Sequence, residues 1–222
     1  MTGLWDEVRS WYWDKVLERT ADALRKNGFE VHVAKNRDDA KRIVLDLIPP
    51  GTTVGIGGSV TIRELCLVEE LEKRGHKVVH HWVKAPPEEI DELRRRELTT
   101  DVFLCSANAI TQDGKLLNID GVGNRVAAMI FGPRRVIVVA GRNKIVRNLD
   151  EALWRARNVA AAMNSKRLGL KTPCAVTGFC SDCSPPVRAC RVVVILEAKP
   201  MRADFHIVLV NEELGFRPCQ LS

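Results

Sequence analysis

Four cysteines crowd one late stretch of the chain: Cys174, Cys180, Cys183 and Cys190, with five, two and six residues between them. Thiolates are ligands for soft and borderline metals, and four within one loop can surround a single ion or cluster. Gly178 allows a tight backbone path, Pro185 and Pro186 stiffen the return, and Arg188 and Arg191 offset thiolate charge. The spacing matches neither the paired knuckles usual for zinc nor the tight ferredoxin run. A metal centre is expected here, either an iron–sulfur cluster or a zinc ion; the plainer alternatives are free thiols or two disulfides. Cys66 and Cys105 sit in apolar contexts that suit core residues, and Cys219 lies near the terminus and carries no weight.

A second constellation is Gly55-Ile56-Gly57-Gly58-Ser59-Val60-Thr61, where a strand gives way to a helix. Glycines let backbone approach a ligand, and the free amides of a first helical turn favour an anion. Ser59 and Thr61 add hydroxyls, and Glu64 follows one helical turn later. A tight strand-to-helix turn needs glycine anyway, so scaffold and ligand site compete as explanations. The third constellation joins Asn108 and Thr111 to Asp120, Gly121, Gly123, Asn124 and Arg125. Polar side chains this dense beside apolar strands are costly unless they are hydrogen-bonded or face a ligand. Asp120 and Asn124 are equally suited to cap the next helix. Arg125 and the later pair Asn143 and Lys144 supply donors for a carboxylate or phosphate. No Ser/His/Asp or Cys/His nucleophile set stands out. His80 and His81 lie in a strand, one toward the core and one on the opposite face, and both are read as structural.

The elements that must position these groups follow from periodicity. Leu4 to Asn27 reads as an amphipathic helix stopped by Gly28, and Phe29 to Val33 as a strand. Asn36 caps a helix that runs through Ile48. Thr52 to Ile56 is a strand, Val60 to Lys73 one helix, and Lys77 to Trp82 the next strand. Pro86 and Pro87 open a charged helix to about Leu98, on which Arg94, Arg95 and Arg96 read as a solvated face. Asp101 to Cys105 is a buried strand, and Asn108 to Ile119 a hairpin around Gln112-Asp113-Gly114. A helix over Val126 to Phe131, a strand over Arg135 to Ala140 and a helix over Leu149 to Met163 precede the cysteines. Strands at Val192 to Leu196 and Phe205 to Val210 end the pattern. This alternation predicts the α/β class, a mostly parallel sheet with helices on both faces. Residues 1–27 are expected to form a helix packed on a single domain over residues 28–222, which includes the loop 174–190.

Composition narrows the partners. The net charge of +6 over 222 residues is small and spread out, which favours a small anionic ligand over nucleic acid. Charged residues among the first fifteen exclude an apolar signal core, and the longest apolar runs are too short to cross a bilayer. A cytoplasmic location is therefore expected, where seven cysteines point to metal or catalysis rather than disulfides. A homo-oligomer is compatible with all of this.

Gly57-Gly58-Ser59 with Glu64, the Asn108 to Thr111 block, Asp120-Gly121-Val122-Gly123-Asn124-Arg125, and Gly141-Arg142-Asn143-Lys144-Ile145-Val146 occur in an order that resembles the lactate-utilisation (LUD) domain family. The match spans nearly the whole chain, and the Cys174 to Cys190 ending resembles the short cysteine-bearing branch. The resemblance implies a fold like that of ribose-5-phosphate isomerases and CoA transferases. It also implies a link to the oxidation of L-lactate to pyruvate, or of a related organic acid, beside iron–sulfur partner proteins. The chain lacks the ferredoxin-like segment of the family's larger iron–sulfur subunit yet carries its own four-cysteine loop. One expectation is a cluster that passes electrons near an organic acid seated over the glycine turn, with Arg125 and Lys144 on its carboxylate. The others are a binding protein with structural zinc and, by fold analogy alone, a sugar-phosphate or acyl-CoA transferase-like enzyme. Whether the chain is an enzyme stays open.

Overall fold

A computed structural model describes residues 2–216 of the chain. Cys219 and the domain's assigned end at residue 222 lie outside the described residues.

The chain opens with helix α1 (Thr2–Lys26), which Gly28 ends in a left-handed conformation (φ 87°). Only its second half is packed: Leu17, Ala21 and Leu24 are buried, whereas Leu4, Trp5, Val8, Trp11 and Tyr12 are exposed. Strand β1 (Glu30–Ala34) leads into α2 (Arg37–Asp46), where the Asn36 side chain accepts from the Asp39 amide, as an N-cap should. Strand β2 (Thr53–Ile56) is followed by two short helices, α3 (Val60–Glu64) and α4 (Leu67–Lys73), in place of the single expected helix. The break is at Cys66, which adopts φ 49° and is exposed rather than a core residue. Strand β3 (Lys77–His80), helix α5 (Pro87–Glu97) and strand β4 (Val102–Cys105) complete this half.

The second half begins with a hairpin, β5 (Ala109–Thr111) and β6 (Leu116–Asp120), and a short helix α6 (Asn124–Ile130). Strand β7 (Arg135–Gly141) is followed by the short β8 (Ile145–Val146) and helix α7 (Leu149–Arg155). The expected continuous helix then widens into a π-helical turn over Ala156–Ala161 and resumes as α8 (Ala162–Arg167). After α9 (Pro173–Thr177) and the cysteine loop come β9 (Val192–Leu196) and β10 (Asp204–Val210).

Six strands form an all-parallel sheet in the order β1-β10-β7-β4-β2-β3. Its central strands are apolar throughout because both faces are covered. Along β7 and β10 the side chains alternate between two cores. Val136, Val138, Phe205 and Ile207 pack with Leu17 and Leu24 of α1 and with Met129 of α6. Ile137, Val139 and Val208 pack with Val44 of α2, Ile62 of α3 and Leu67 and Leu71 of α4. This is the expected α/β class. The hairpin and β9 separate into a second, four-stranded sheet, β8-β5-β6-β9, packed on Ala152 and Ala156. Gly114 fastens this small sheet to α1. At φ 87°, any Cβ there would stand 2.6 Å from the Ala23 carbonyl carbon. Among the described residues no helix is long and apolar enough to cross a membrane.

Candidate functional site

A parallel sheet gathers its strand-to-helix loops beyond the carboxyl ends of the strands, where ligands bind in such folds. Here the loops after β2, β3 and β4 meet the loop after β6, the π turn and the cysteine loop around a cleft of about 800 Å³. Gly58, Asn108, Asp120, Gly121, Asn124 and Arg125 all line it, so six of the expected ligand residues converge. Arg94, Arg167 and Arg191 add positive charge to the same walls. Arg94 therefore departs from the solvated face expected of it, whereas Arg95 and Arg96 are exposed.

Arg125 is tied down rather than free. Its Nε and Nη2 donate to Asp120 Oδ1 (2.9 and 2.5 Å), its Nη1 to the Ser106 carbonyl (3.2 Å), and its Nη2 also to Asn108 Oδ1 (3.1 Å). Asp120 Oδ2 accepts from the Val126 amide (3.1 Å), which satisfies an open donor in the first turn of α6. Asn108 accepts from the Ile119 amide (2.7 Å) and so holds the hairpin against the same network. Gly123 begins α6 at φ 96°. Gly121 is required by contact, because a Cβ there would stand 2.9 Å from the Ala189 carbonyl oxygen of the cysteine loop.

His81, read as structural from sequence, also lines the cleft. Its Nδ1 lies 2.6 Å from Oε1 of Glu97, a carboxylate 1% exposed, and its own amide donates to the same oxygen (3.1 Å). Asn124 Nδ2 donates to the other oxygen (3.2 Å). Trp82 beside it is flanked by two guanidinium groups, Arg63 at 4.9 Å and Arg167 at 4.6 Å from its ring centre. Glu97, the last residue of α5, offered no periodic signal that would have paired it with a histidine sixteen residues earlier.

The remaining expected residues serve the scaffold around this cleft. Gly57 packs close to Phe103, and Ser59 caps α3 through its hydroxyl and the Ile62 amide (3.3 Å). Thr111 stays in the hairpin turn, where its hydroxyl accepts from the Lys115 amide (3.0 Å). Asn143 donates to the Leu214 carbonyl (3.3 Å) and accepts from the Leu214 amide (3.1 Å), and Glu64 accepts from the Gly215 amide (2.7 Å). Residues 211–216 thus form a strap over Lys144. Its Nζ donates to Thr61 Oγ1 and Ser106 Oγ, both at 2.6 Å. Ser106 joins the two cations, since its carbonyl serves Arg125 and its hydroxyl serves Lys144.

Burial, with repulsion from Arg155 and Arg125, lowers the Lys144 amine to about 7. Arg155, a residue with no sequence signal, is itself lowered to about 10 by burial. It ties the Asn143, Asn108 and Phe216 carbonyls together. Above pH 7 the folded Lys144 is neutral while the unfolded lysine keeps its proton up to about 10.4, so the unfolded state binds more protons. Stability contributed by this group must therefore rise with pH across that window, by about 1.4 kcal/mol per pH unit. Denaturant titrations at several alkaline pH values should show this slope, and Lys144→Met should remove it.

The four loop cysteines line a separate small cavity of about 20 Å³ together with Arg157, Asp182 and Arg188. The Cys190 thiol is pushed up by burial and by the Cys174, Cys180 and Cys183 sulfurs, against the opposing charge of Arg188. Arg188 also folds the loop on itself: Nε donates to the Cys190 carbonyl and Nη1 to the Cys183 carbonyl, both at 2.7 Å. Asn158 of the π turn accepts from the Cys180 amide (3.0 Å), and the Asp182 amide donates to Cys180 Sγ (3.4 Å). Among the described residues no group of three or more His, Cys, Asp or Glu stands as a site for a metal ion. Cys174, Cys180, Cys183 and Cys190 nevertheless all line this one cavity, and the Asp182 amide points at the Cys180 sulfur.

Comparison with known proteins agrees with this architecture. No curated protein matches the chain. A crystal structure of a DUF162 family protein from Deinococcus radiodurans is similar in fold, with a TM-score of 0.53 at 14% identity, covering 89% of this chain and 97% of that one. The LUD domain family model matches residues 17–210, and over that span the chain belongs to the LUD domain family.

Proposed function

We propose that this chain is a redox-associated LUD protein that holds an iron–sulfur cluster on Cys174, Cys180, Cys183 and Cys190 and binds a small organic acid in the neighbouring cleft. The observation that carries it is the double placement of Cys190 and Ala189, which line both the thiol cavity and the large cleft. A cluster held there would supply one-electron transfer at the cleft wall. The chain's own residues do the rest. Arg94, Arg167 and Arg191 attract an anion, and the Asp120–Arg125 pair keeps the loops in register. Arg188 neutralises part of the sulfur charge. Family kinship favours L-lactate or a related 2-hydroxy acid as that anion.

Zinc is the second candidate for the same sulfurs. A zinc ion with Zn–S bonds of about 2.3 Å draws its four sulfurs to within about 3.8 Å of one another. Purification without oxygen, followed by iron and zinc analysis and calorimetric titration with L-lactate, tests both halves. A coloured, iron-bearing protein that binds the acid is expected. Colourless protein with one zinc per chain would replace the cluster by the structural ion.

A further inference from the structure

We propose that His81 is the proton acceptor of the cleft, positioned by Glu97, for a carboxylate ligand that carries a hydroxyl on the neighbouring carbon. The ligand class rests on the function proposed above; the proton chemistry rests on geometry. A carboxylate that accepts from Nδ1 fixes the hydrogen on that nitrogen and leaves the Nε2 lone pair available. Glu97 does this from a fully buried position at 2.6 Å, and Asn124 and the His81 amide hold the carboxylate in turn. Nε2 stands beside Gly58. A Cβ at that position would lie 3.3 Å from Nε2 and 3.0 Å from Trp82 Nε1. Glycine here leaves the imidazole open to the cleft, and that gives the glycine turn a role besides tight turning.

The groups facing His81 divide the work. Arg94 of α5, Arg125 of α6 and Arg167 of α8 line the same cleft and stay protonated at any physiological pH. His80 next in the strand turns to Arg63 (3.4 Å). The arginines can hold a carboxylate, and the His81 imidazole, open at Nε2 beside Gly58, is the group placed to accept from a ligand hydroxyl. In the proposed step the ligand's hydroxyl O–H bond breaks, an N–H bond forms at Nε2, and the electron pair stays on oxygen. The buried Glu97 carboxylate stabilises the resulting imidazolium. Nothing else is transferred in this step.

With its hydrogen held on Nδ1 by Glu97, the imidazole offers Nε2 as an acceptor to a hydroxyl and has no donor there for the corresponding oxo acid. Calorimetric affinities for L-lactate and pyruvate, measured on the whole protein, give a ratio in which the shared carboxylate cancels. That ratio should favour L-lactate by about tenfold in the unaltered protein. His81→Gln, whose amide can both donate and accept, should bring it near one. Glu97→Gln, whose amide can donate to Nδ1 and so move the hydrogen to Nε2, should turn the ratio toward pyruvate. Binding of both acids with a ratio that neither variant changes would overturn the role of His81 alone. Binding of neither acid would overturn the ligand assignment and this inference together.

Discussion

Cys190→Ala should strip the protein of most of its iron, with at least a tenfold fall in iron per chain after anaerobic purification. A four-cysteine cluster site holds about two or four iron atoms, and this thiol is one of four facing a single cavity. The same residue forms part of the cleft wall, so its loss should also decouple ligand binding from any visible-absorption change. Cys66→Ser is the matched control, because Cys66 is exposed at the α3–α4 break and far outside the cysteine loop in sequence. It should retain full iron. Cys105→Ala is a second control of a different kind. That thiol is wholly buried in strand β4, outside the cysteine loop, and burial pushes it up to about 12; this variant too should retain its iron. Iron contents that do not differ among the three variants would contradict the assignment.

The second large effect concerns stability. Asp120 and Arg125 are 10% and 13% exposed in their side chains and bond at 2.5 Å. Removing one partner of a buried pair leaves the other charge uncompensated, at a cost of about 3–5 kcal/mol. Asp120→Ala should therefore lower the unfolding midpoint by about 10 °C, given roughly 2–4 °C per kcal/mol for a chain of this size. It also removes the acceptor for the Val126 amide. The double variant Asp120→Leu with Arg125→Met removes both charges and should lose less than Asp120→Ala alone. Thermal unfolding of the two variants side by side decides it: a double variant worse than the single would mean that the hydrogen bonds of Arg125 to Ser106 and Asn108 matter more than its charge.

Much of this site was legible in the sequence because it is built from local signals. Glycines after a strand, an Asn cap on α2 and a Gly114 turn each declare themselves within a few residues. The alternation of strands and helices gave the parallel sheet for the same reason. What escaped depends on tertiary meetings. The helix expected over Val60 to Lys73 breaks at Cys66 in a left-handed conformation that no periodicity reveals. The π turn at Ala156–Ala161 hides within a run of small residues that reads as ordinary helix, yet it supplies Asn158 and Arg157 to the cysteine loop. Lys144 looked like a ligand for an anion and is instead held by Thr61 and Ser106 beneath the strap. The His81–Glu97 contact needs α5 to fold back on β3, and sequence spacing alone cannot show it.

The most direct measurement is anomalous X-ray scattering at the iron absorption edge from crystals grown without oxygen. Iron density enclosed by the sulfurs of Cys174, Cys180, Cys183 and Cys190 is expected, with the Cys190 side against the cleft. Four sulfurs without iron, in protein reconstituted with iron and sulfide, would contradict it.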